Sequence, residues 1–247
     1  MSYQFKQTII ISLGGSIIYP DEIDINFLRK FNLFIRRFIK KGYKFIIVTG
    51  GGKPARVFQE AAYKVSKINN EDKDWLGIHA TRLNAHLLRT IFSDVADPEI
   101  IDSREKSIER AKAKKTSEAQ PHTNAKLWYG VTIGSGWRPG WSTDFIAAQI
   151  AADFKIKEFV NAGKPAYVFE KDPQRFPQAK KFEKLSWGAY RKLIPSKWIP
   201  GFSSPVDPIA AKLCQKEKMA AIVINGKDLK NFKNLLSGKD FQGTIIS

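Results

Sequence analysis

Gly50, Gly51 and Gly52 follow directly on the apolar run FIIVT (45–49) and lead into Lys53, Pro54, Ala55 and Arg56. Three residues without side chains let a ligand approach the main chain closely, and Pro54 falls in a first helical turn, where its missing N–H costs little. Free amides at a helix start favour an anion, and phosphate is the usual one. A tight strand-to-helix turn with no ligand is the alternative for this loop taken alone. A second glycine loop, Gly14, Gly15 and then Ser16, ends the apolar run TIIISL (8–13). A third contains Gly136, Arg138, Pro139 and Gly140 and ends at Ser142 and Thr143, either of which suits a helix N-cap, with Asp144 in the first turn. That composition suits the gripping of phosphate or sugar; a cap that merely stabilises the helix is the alternative.

The elements that position these loops are strands and helices in alternation. Asp24 stands where a helix N-cap is expected, Ile25, Leu28, Phe31, Phe34, Ile35 and Phe38 recur at helical spacing, and Gly42 marks the end. After the second glycine loop a long helix is predicted over DKDWLGIHATRLNAHLLRTIF (72–92), with Trp75, Ile78, Leu83, Leu87 and Ile91 on a buried or intersubunit face. From Asp94 to Asn124 polarity rises and the pattern weakens. Strand, loop and helix return at 127–154, and the last hundred residues hold the strand AAIVING (220–226) between helices and a closing strand GTIIS (243–247). Continuous apolar strands alternating with helices predict an α/β fold with a mostly parallel sheet covered on both faces. Ligands of such sheets bind beyond the carboxyl ends of the strands, where the glycine loops lie.

The 247 residues, 43% of them hydrophobic, suffice for one large α/β domain or two fused lobes. No basic region followed by a long apolar core opens the chain, and no apolar run reaches bilayer length, so a cytoplasmic protein without membrane association is expected. Cys214 is the only cysteine, which excludes an intrachain disulfide and a cysteine zinc site. His79, His86 and His122 are spread out; His79 and His86, seven apart, could share a helix face, but ordinary packing explains them and no metal site is expected. The formal charge of +17 calls for an anionic partner, either nucleic acid or nucleotides with their phosphates. The densest basic run, 104–115, is diluted by Glu105 and Glu109 and reads as a solvated helix face rather than a nucleic-acid surface.

Seven segments in order, SLGGS, VTGGGKPAR, DWLGIHATRLNAHLL, GWRPGWSTDFIAA, EKDPQRFPQAKKFEKLSW, PVDPIAAKL and GTII, resemble the amino acid kinase superfamily and, within it, the UMP kinases of the archaeal type. The resemblance runs nearly end to end and is poorest at 94–125. It implies a three-layer α/β/α sandwich around a mostly parallel sheet, formed as one domain (1–247) with an acceptor lobe (1–154) for UMP and an ATP lobe (155–247). It also implies assembly as a homo-hexamer, Mg²⁺ carried by ATP, and a transferase of pyrimidine nucleotide biosynthesis. Residue by residue, Gly51 and Gly52 match contacts to nucleotide phosphates, and Arg56 matches a residue that helps bind them. Asp74 matches a UMP-binding acid. Trp137, Arg138, Pro139, Gly140, Trp141, Ser142 and Thr143 match the loop around UMP. Gly14, Gly15 and Ser16 match the loop near the transferring phosphoryl group, and Phe169 and Asp172 match ATP-side positions. Lys53 and Lys212 are candidates for further positive charge, with a solvated surface lysine the alternative for each, and Asp144 is a candidate for organising the loop or orienting a cationic group.

Two departures stand out. Many relatives carry a lysine where this chain has Ser12, and the family's Asn and Asp at the ATP site become Lys164 and Ala166 in NAGKPAYVFEKDP (161–173). Lys164 is expected to contact ATP phosphate in a working enzyme; the alternatives are a nucleotide-binding member with a degraded donor site, or a nucleic-acid-binding protein using the basic surface. An isopentenyl-phosphate kinase would be expected to carry a catalytic histidine in a Gly-Ser-Phe-Gly-His-like segment, and the chain has no such segment.

Overall fold

The computed structural model describes residues 1–119, 129–173, 175–197 and 204–247. The chain runs β1 (Thr8–Leu13), α1 (Gly15–Ile18), α2 (Ile25–Ile39), β2 (Lys44–Thr49), α3 (Gly52–Ser66), α4 (Asn70–Ile91), α5 (Arg104–Ala119) and β3 (Val131–Gly134). It continues through α6 (Thr143–Asp153), β4 (Glu158–Gly163), the short β5 (Val168–Phe169), β6 (Lys181–Phe182) and β7 (Lys184–Leu185), and α7 (Trp187–Leu193). The closing elements are α8 (Pro208–Glu217), β8 (Ala220–Asn225), α9 (Leu229–Leu236) and β9 (Thr244–Ile246).

Seven strands form one sheet in the order β3-β2-β1-β4-β8-β9-β7, parallel except where β9 runs against β8; β5 and β6 pair separately. The period of two along a strand divides the apolar residues between two cores. Ile9, Ile11 and Leu13 of β1, Phe45 and Ile47 of β2, and Ile222 and Ile224 of β8 pack on one side with the Phe27, Phe31, Phe34 and Phe38 face of α2 and with Phe232 of α9. Ile10, Ile46, Val48, Ala221 and Val223 pack on the other with Ile146 and Ile150 of α6, Tyr190 of α7 and Cys214 of α8. Helices on both faces of a mostly parallel sheet make the expected three-layer sandwich.

Local signals act as anticipated at several ends. The Asp24 carboxylate accepts from the Phe27 amide (2.9 Å) and starts α2, and Gly42 takes the left-handed φ of 88° just past its end. Phe27, not Ile25, fills the buried face of α2; Ile25 is the first helical residue and is 63% exposed. On α4, Ile78 is buried while Trp75 and Leu83 are exposed, because the face turned to the protein is built from Ala80, Thr81, Asn84, Ala85 and Leu88. The weakly patterned segment after residue 94 contains α5, held by polar contacts: Arg110 pairs with buried Asp97 (2.7 Å) and Ser107 donates to Asp153 (2.8 Å). His122 and Asn124 lie outside the described residues.

Candidate active site

The glycine loops after β1 and β2 lie against each other. A Cβ on Gly15 would fall 2.1 Å from the Gly52 nitrogen and 2.5 Å from the Gly50 carbonyl carbon, and one on Gly50 would fall 2.4 Å from the Gly15 nitrogen. Gly52 also holds a φ of +70°, a conformation that L side chains rarely adopt. The bare backbone is therefore needed first for contact between loops. Gly15→Ala is expected to destabilise the fold by roughly 3 kcal/mol, since rigid backbone surrounds the new methyl on two sides. A denaturant midpoint indistinguishable from that of the parent protein would contradict this packing.

The same contact leaves two pairs of amides over. The Gly14 and Gly50 amides donate to Ala162 and Leu13 carbonyls (3.0 and 2.9 Å), and those of Ile17 and Lys53 to Gly14 and Tyr19 carbonyls (2.8 and 3.1 Å). The amides between them, of Gly15 and Ser16 and of Gly51 and Gly52, have no backbone acceptor among the described residues. Two such pairs, at the carboxyl ends of neighbouring strands and at the starts of α1 and α3, suit anionic oxygens.

Gly51 and Gly52 open into a cleft of about 350 Å³ that also has Arg56, Asp74, Trp141, Ser142, Thr143 and Asp144 on its walls. Sequence-predicted residues from three separate segments thus meet. Asp74, near the start of α4, accepts from the Gly140 amide (2.7 Å) and pins the loop between β3 and α6. Arg138 lies over the Trp141 ring, 4.3 Å from its centroid. Trp137 is buried and spends its indole N–H on the Ile101 carbonyl (3.1 Å), so its role in the loop is to anchor it. Pro139 is half-exposed between them.

The floor of the cleft carries two acids. Asp144 Oδ1 accepts from the Ser12 hydroxyl (2.7 Å) and from the Asn161 amide nitrogen (2.8 Å). Burial, and then the neighbouring Asp207 carboxylate, pushes its pKa up to about 7, against the lowering effect of those two hydrogen bonds. Asp207 caps α8, accepting from the Ile209 and Ala210 amides (2.8 and 3.0 Å) on one oxygen and from the Ser142 hydroxyl on the other. Burial raises its pKa as well, opposed chiefly by Ser142. Ser142, rather than Thr143, caps α6 through the Phe145 amide (3.0 Å). A single hydrogen-bonded chain therefore joins the starts of α6 and α8.

The remaining predicted residues lie off the cleft wall. Lys53 is partly exposed with its ammonium 3.6 Å from Asp21, and Lys212 is exposed on α8. Lys164 is exposed just after β4. Phe169 of β5 makes an edge contact with Tyr167 at 6.4 Å, and Asp172 pairs with Arg175 at 3.8 Å in the turn that follows. The structure also adds residues that sequence reading did not select: Ser12, Asn161 and Asp207. The dipeptide Asp207-Pro208 carried a usable signal, since a capping acid followed by proline marks a helix start. Ser12 and Asn161 sit inside apolar strands; Ser12 stood out only as a departure from a lysine of many relatives, and Asn161 carried no signal.

The amino acid kinase family profile matches residues 7–225. The uridylate kinase of Thermococcus kodakarensis is 29% identical over 239 residues, covering 96% of this chain and 98% of the relative. That of Methanosarcina barkeri is 31% identical over 240 residues, covering 97% and 95%. The crystal structure of the Archaeoglobus fulgidus uridylate kinase superposes with a TM-score of 0.76 at 28% identity, over 98% of this chain and 100% of that one. With the profile spanning most of the sequence, and the sandwich and glycine-lined rim in place, this chain belongs to the amino acid kinase family.

Proposed function

We propose that the protein is a UMP kinase, which transfers the γ-phosphoryl group of ATP to UMP to give UDP and ADP. The observation that carries this reading is the pairing of unspent amides at Gly51 and Gly52, beside Arg56, with those of Gly15 and Ser16 across a direct loop-to-loop contact. Phosphoryl transfer between two nucleotides needs alignment and neutralisation of oxygen charge, with little covalent chemistry from the protein. The Gly51 and Gly52 amides and Arg56 hold the acceptor phosphate. Gly14, Gly15 and Ser16 face the transferring group. Asp74, Trp141, Ser142 and Thr143 surround the nucleoside, with Trp137, Arg138, Pro139 and Gly140 shaping the loop, while Lys53 and Lys212 extend the positive field. Asp144 orients a cationic group and is no base, because an acceptor phosphate is already ionised.

The ATP lobe is 155–247, with Lys164, Phe169 and Asp172 on the donor side and 1–154 as the acceptor lobe. Among the described residues no three His, Cys, Asp or Glu side chains cluster as a metal cage. On the kinase reading Mg²⁺ would travel on the ATP phosphates and supply charge neutralisation there. The protein works as a homo-oligomer, a hexamer by its family likeness: α3 buries none of its residues, leaving Val57, Phe58, Tyr63 and Val65 exposed beside Trp75 and Leu83 of α4. No described helix is long and apolar enough to cross a membrane. A cytoplasmic place in pyrimidine nucleotide synthesis goes with the UMP kinase reading itself. The purified protein with MgATP should release ADP fastest with UMP in a coupled assay across UMP, CMP, AMP and GMP. Turnover with none of the four would defeat the catalytic reading and leave the fold standing; it would favour a nucleotide-binding protein whose donor side is altered at Lys164 and Ala166.

A further inference from the structure

One turn of α4 is tied to the loops on two sides of the cleft through buried polar side chains. The Asn84 side chain, 3% exposed, donates from Nδ2 to the carbonyls of Gly50 (2.7 Å) and Gly51 (3.2 Å). Thr81, 6% exposed, accepts from the Gly136 amide on Oγ1 (2.7 Å) and donates a hydrogen bond from its hydroxyl to the Ile78 carbonyl (2.6 Å). Thr49, at the end of β2, donates to the Thr81 carbonyl (2.9 Å) and so closes the connection back to the sheet.

These bonds constrain the peptide planes of the glycine loop. The Gly50 carbonyl belongs to the same peptide unit as the Gly51 amide, and the Gly51 carbonyl to the same unit as the Gly52 amide. In a planar trans peptide the C=O and N–H point in opposite directions. Turning both carbonyls toward Asn84 therefore turns both amides away from α4. Glycines have no side chain to hold these planes, and left alone they sample a wide range of φ and ψ. One primary amide with two donor hydrogens meets both carbonyls and fixes two consecutive planes at once.

We propose that Asn84 is a positioning residue for the acceptor phosphate, orienting the Gly51 and Gly52 amides from behind the loop, with Thr81 setting the facing loop from the same helical turn. Asn84 does not line the cleft and touches no reacting atom. The proposal rests on the UMP kinase reading for its kinetic consequence, but its structural half stands apart from that reading.

Two variants separate positioning from packing. Asn84→Leu keeps the branched side-chain shape, with bulkier methyls in place of the donors, and Asn84→Ala removes both volume and donors. In the free protein, exchange of the Gly50 and Lys53 amides, the two in the 50–53 segment that are bonded to carbonyls, should accelerate about tenfold or more in both variants, while β1 and β8 exchange as before. KM for UMP should rise about tenfold or more in both, with KM for ATP within about twofold of the parent. Unchanged exchange in the 50–53 segment of Asn84→Leu would overturn the proposal, as would equal losses for UMP and ATP. Faster exchange in a protein whose parent form lacks kinase activity would leave the positioning intact and defeat only the functional reading. If Asn84→Leu does not fold, Asn84→Ala decides by the same two readouts.

Discussion

Asp144→Asn lowers kcat by about 10²-fold or more and, at pH 8, makes the free protein more stable. The two effects have one origin. Asp144 sits at the floor of the cleft beside Asp207, hydrogen-bonded by a serine hydroxyl and an asparagine amide, and its pKa is held at about 7. An unfolded aspartate releases its proton near pH 4. Between about pH 4 and 7 the folded state therefore binds a proton that the unfolded state does not, and stability falls as pH rises through that window. Above it, folding carries the full cost of a charge placed in a poorly solvated, like-charged setting. Asparagine keeps an oxygen for the Ser12 and Asn161 donors and never ionises. Its gain at pH 8 is roughly 1 to 2 kcal/mol, Asp144 being only partly buried, and shrinks to nothing near pH 4. Thermal melts of both proteins at pH 4.5 and 8 measure the difference, and kcat with UMP and MgATP measures the loss. A variant that is active, or that is no more stable than the parent at pH 8, would remove Asp144 from its assigned role.

Arg56→Ala raises the dissociation constant for UMP by about 10- to 100-fold and changes that for ATP by less than about threefold. A charge-assisted hydrogen bond to phosphate contributes roughly 1.5 to 3 kcal/mol, which sets the larger figure. Arg56 follows Gly52 on the first turns of α3 and is on the wall of the cleft shared by Gly51, Asp74 and Thr143. The donor-side candidates Lys164, Phe169 and Asp172 are not on that wall, so ATP has other contacts to rely on. Arg56 is exposed, and its removal should leave the melting temperature close to that of the parent. Calorimetric titration of each nucleotide alone gives both constants. Equal weakening of UMP and ATP would contradict the placement of the acceptor phosphate.

Much of this arrangement is legible in the residues because the signals are local. The alternation of Ile9, Ile10 and Ile11 across two cores, the Asp24 cap and the glycine after α2 each act within a few residues of themselves. The three loops could be located for the same reason. What lies outside the reach of such signals is pairing over distance: Ser12 with Asp144, 132 residues apart, Ser142 with Asp207, 65 apart, and Asn84 with Gly50, 34 apart. Nor does apolar character alone place Trp75 and Leu83, which face outward while Ile78 is buried, since the inward face of α4 carries Thr81 and Asn84 to meet the loops. The glycine run shows the same limit from another side. Its lack of side chains suggested a ligand, whereas the nearest neighbour to be accommodated is the glycine loop of the next strand.

On the UMP kinase reading, the unspent amides at Gly51 and Gly52 receive the phosphate of UMP, and the transferring group of ATP is held at Gly15 and Ser16. A crystal soaked with UMP and a non-hydrolysable ATP analogue tests it directly. The expected result is UMP phosphate oxygens within hydrogen-bonding distance of the Gly51 and Gly52 nitrogens and of Arg56, and the γ-phosphate of the analogue against the first glycine loop. Nucleotide bound elsewhere, with protein atoms filling that rim, would contradict it.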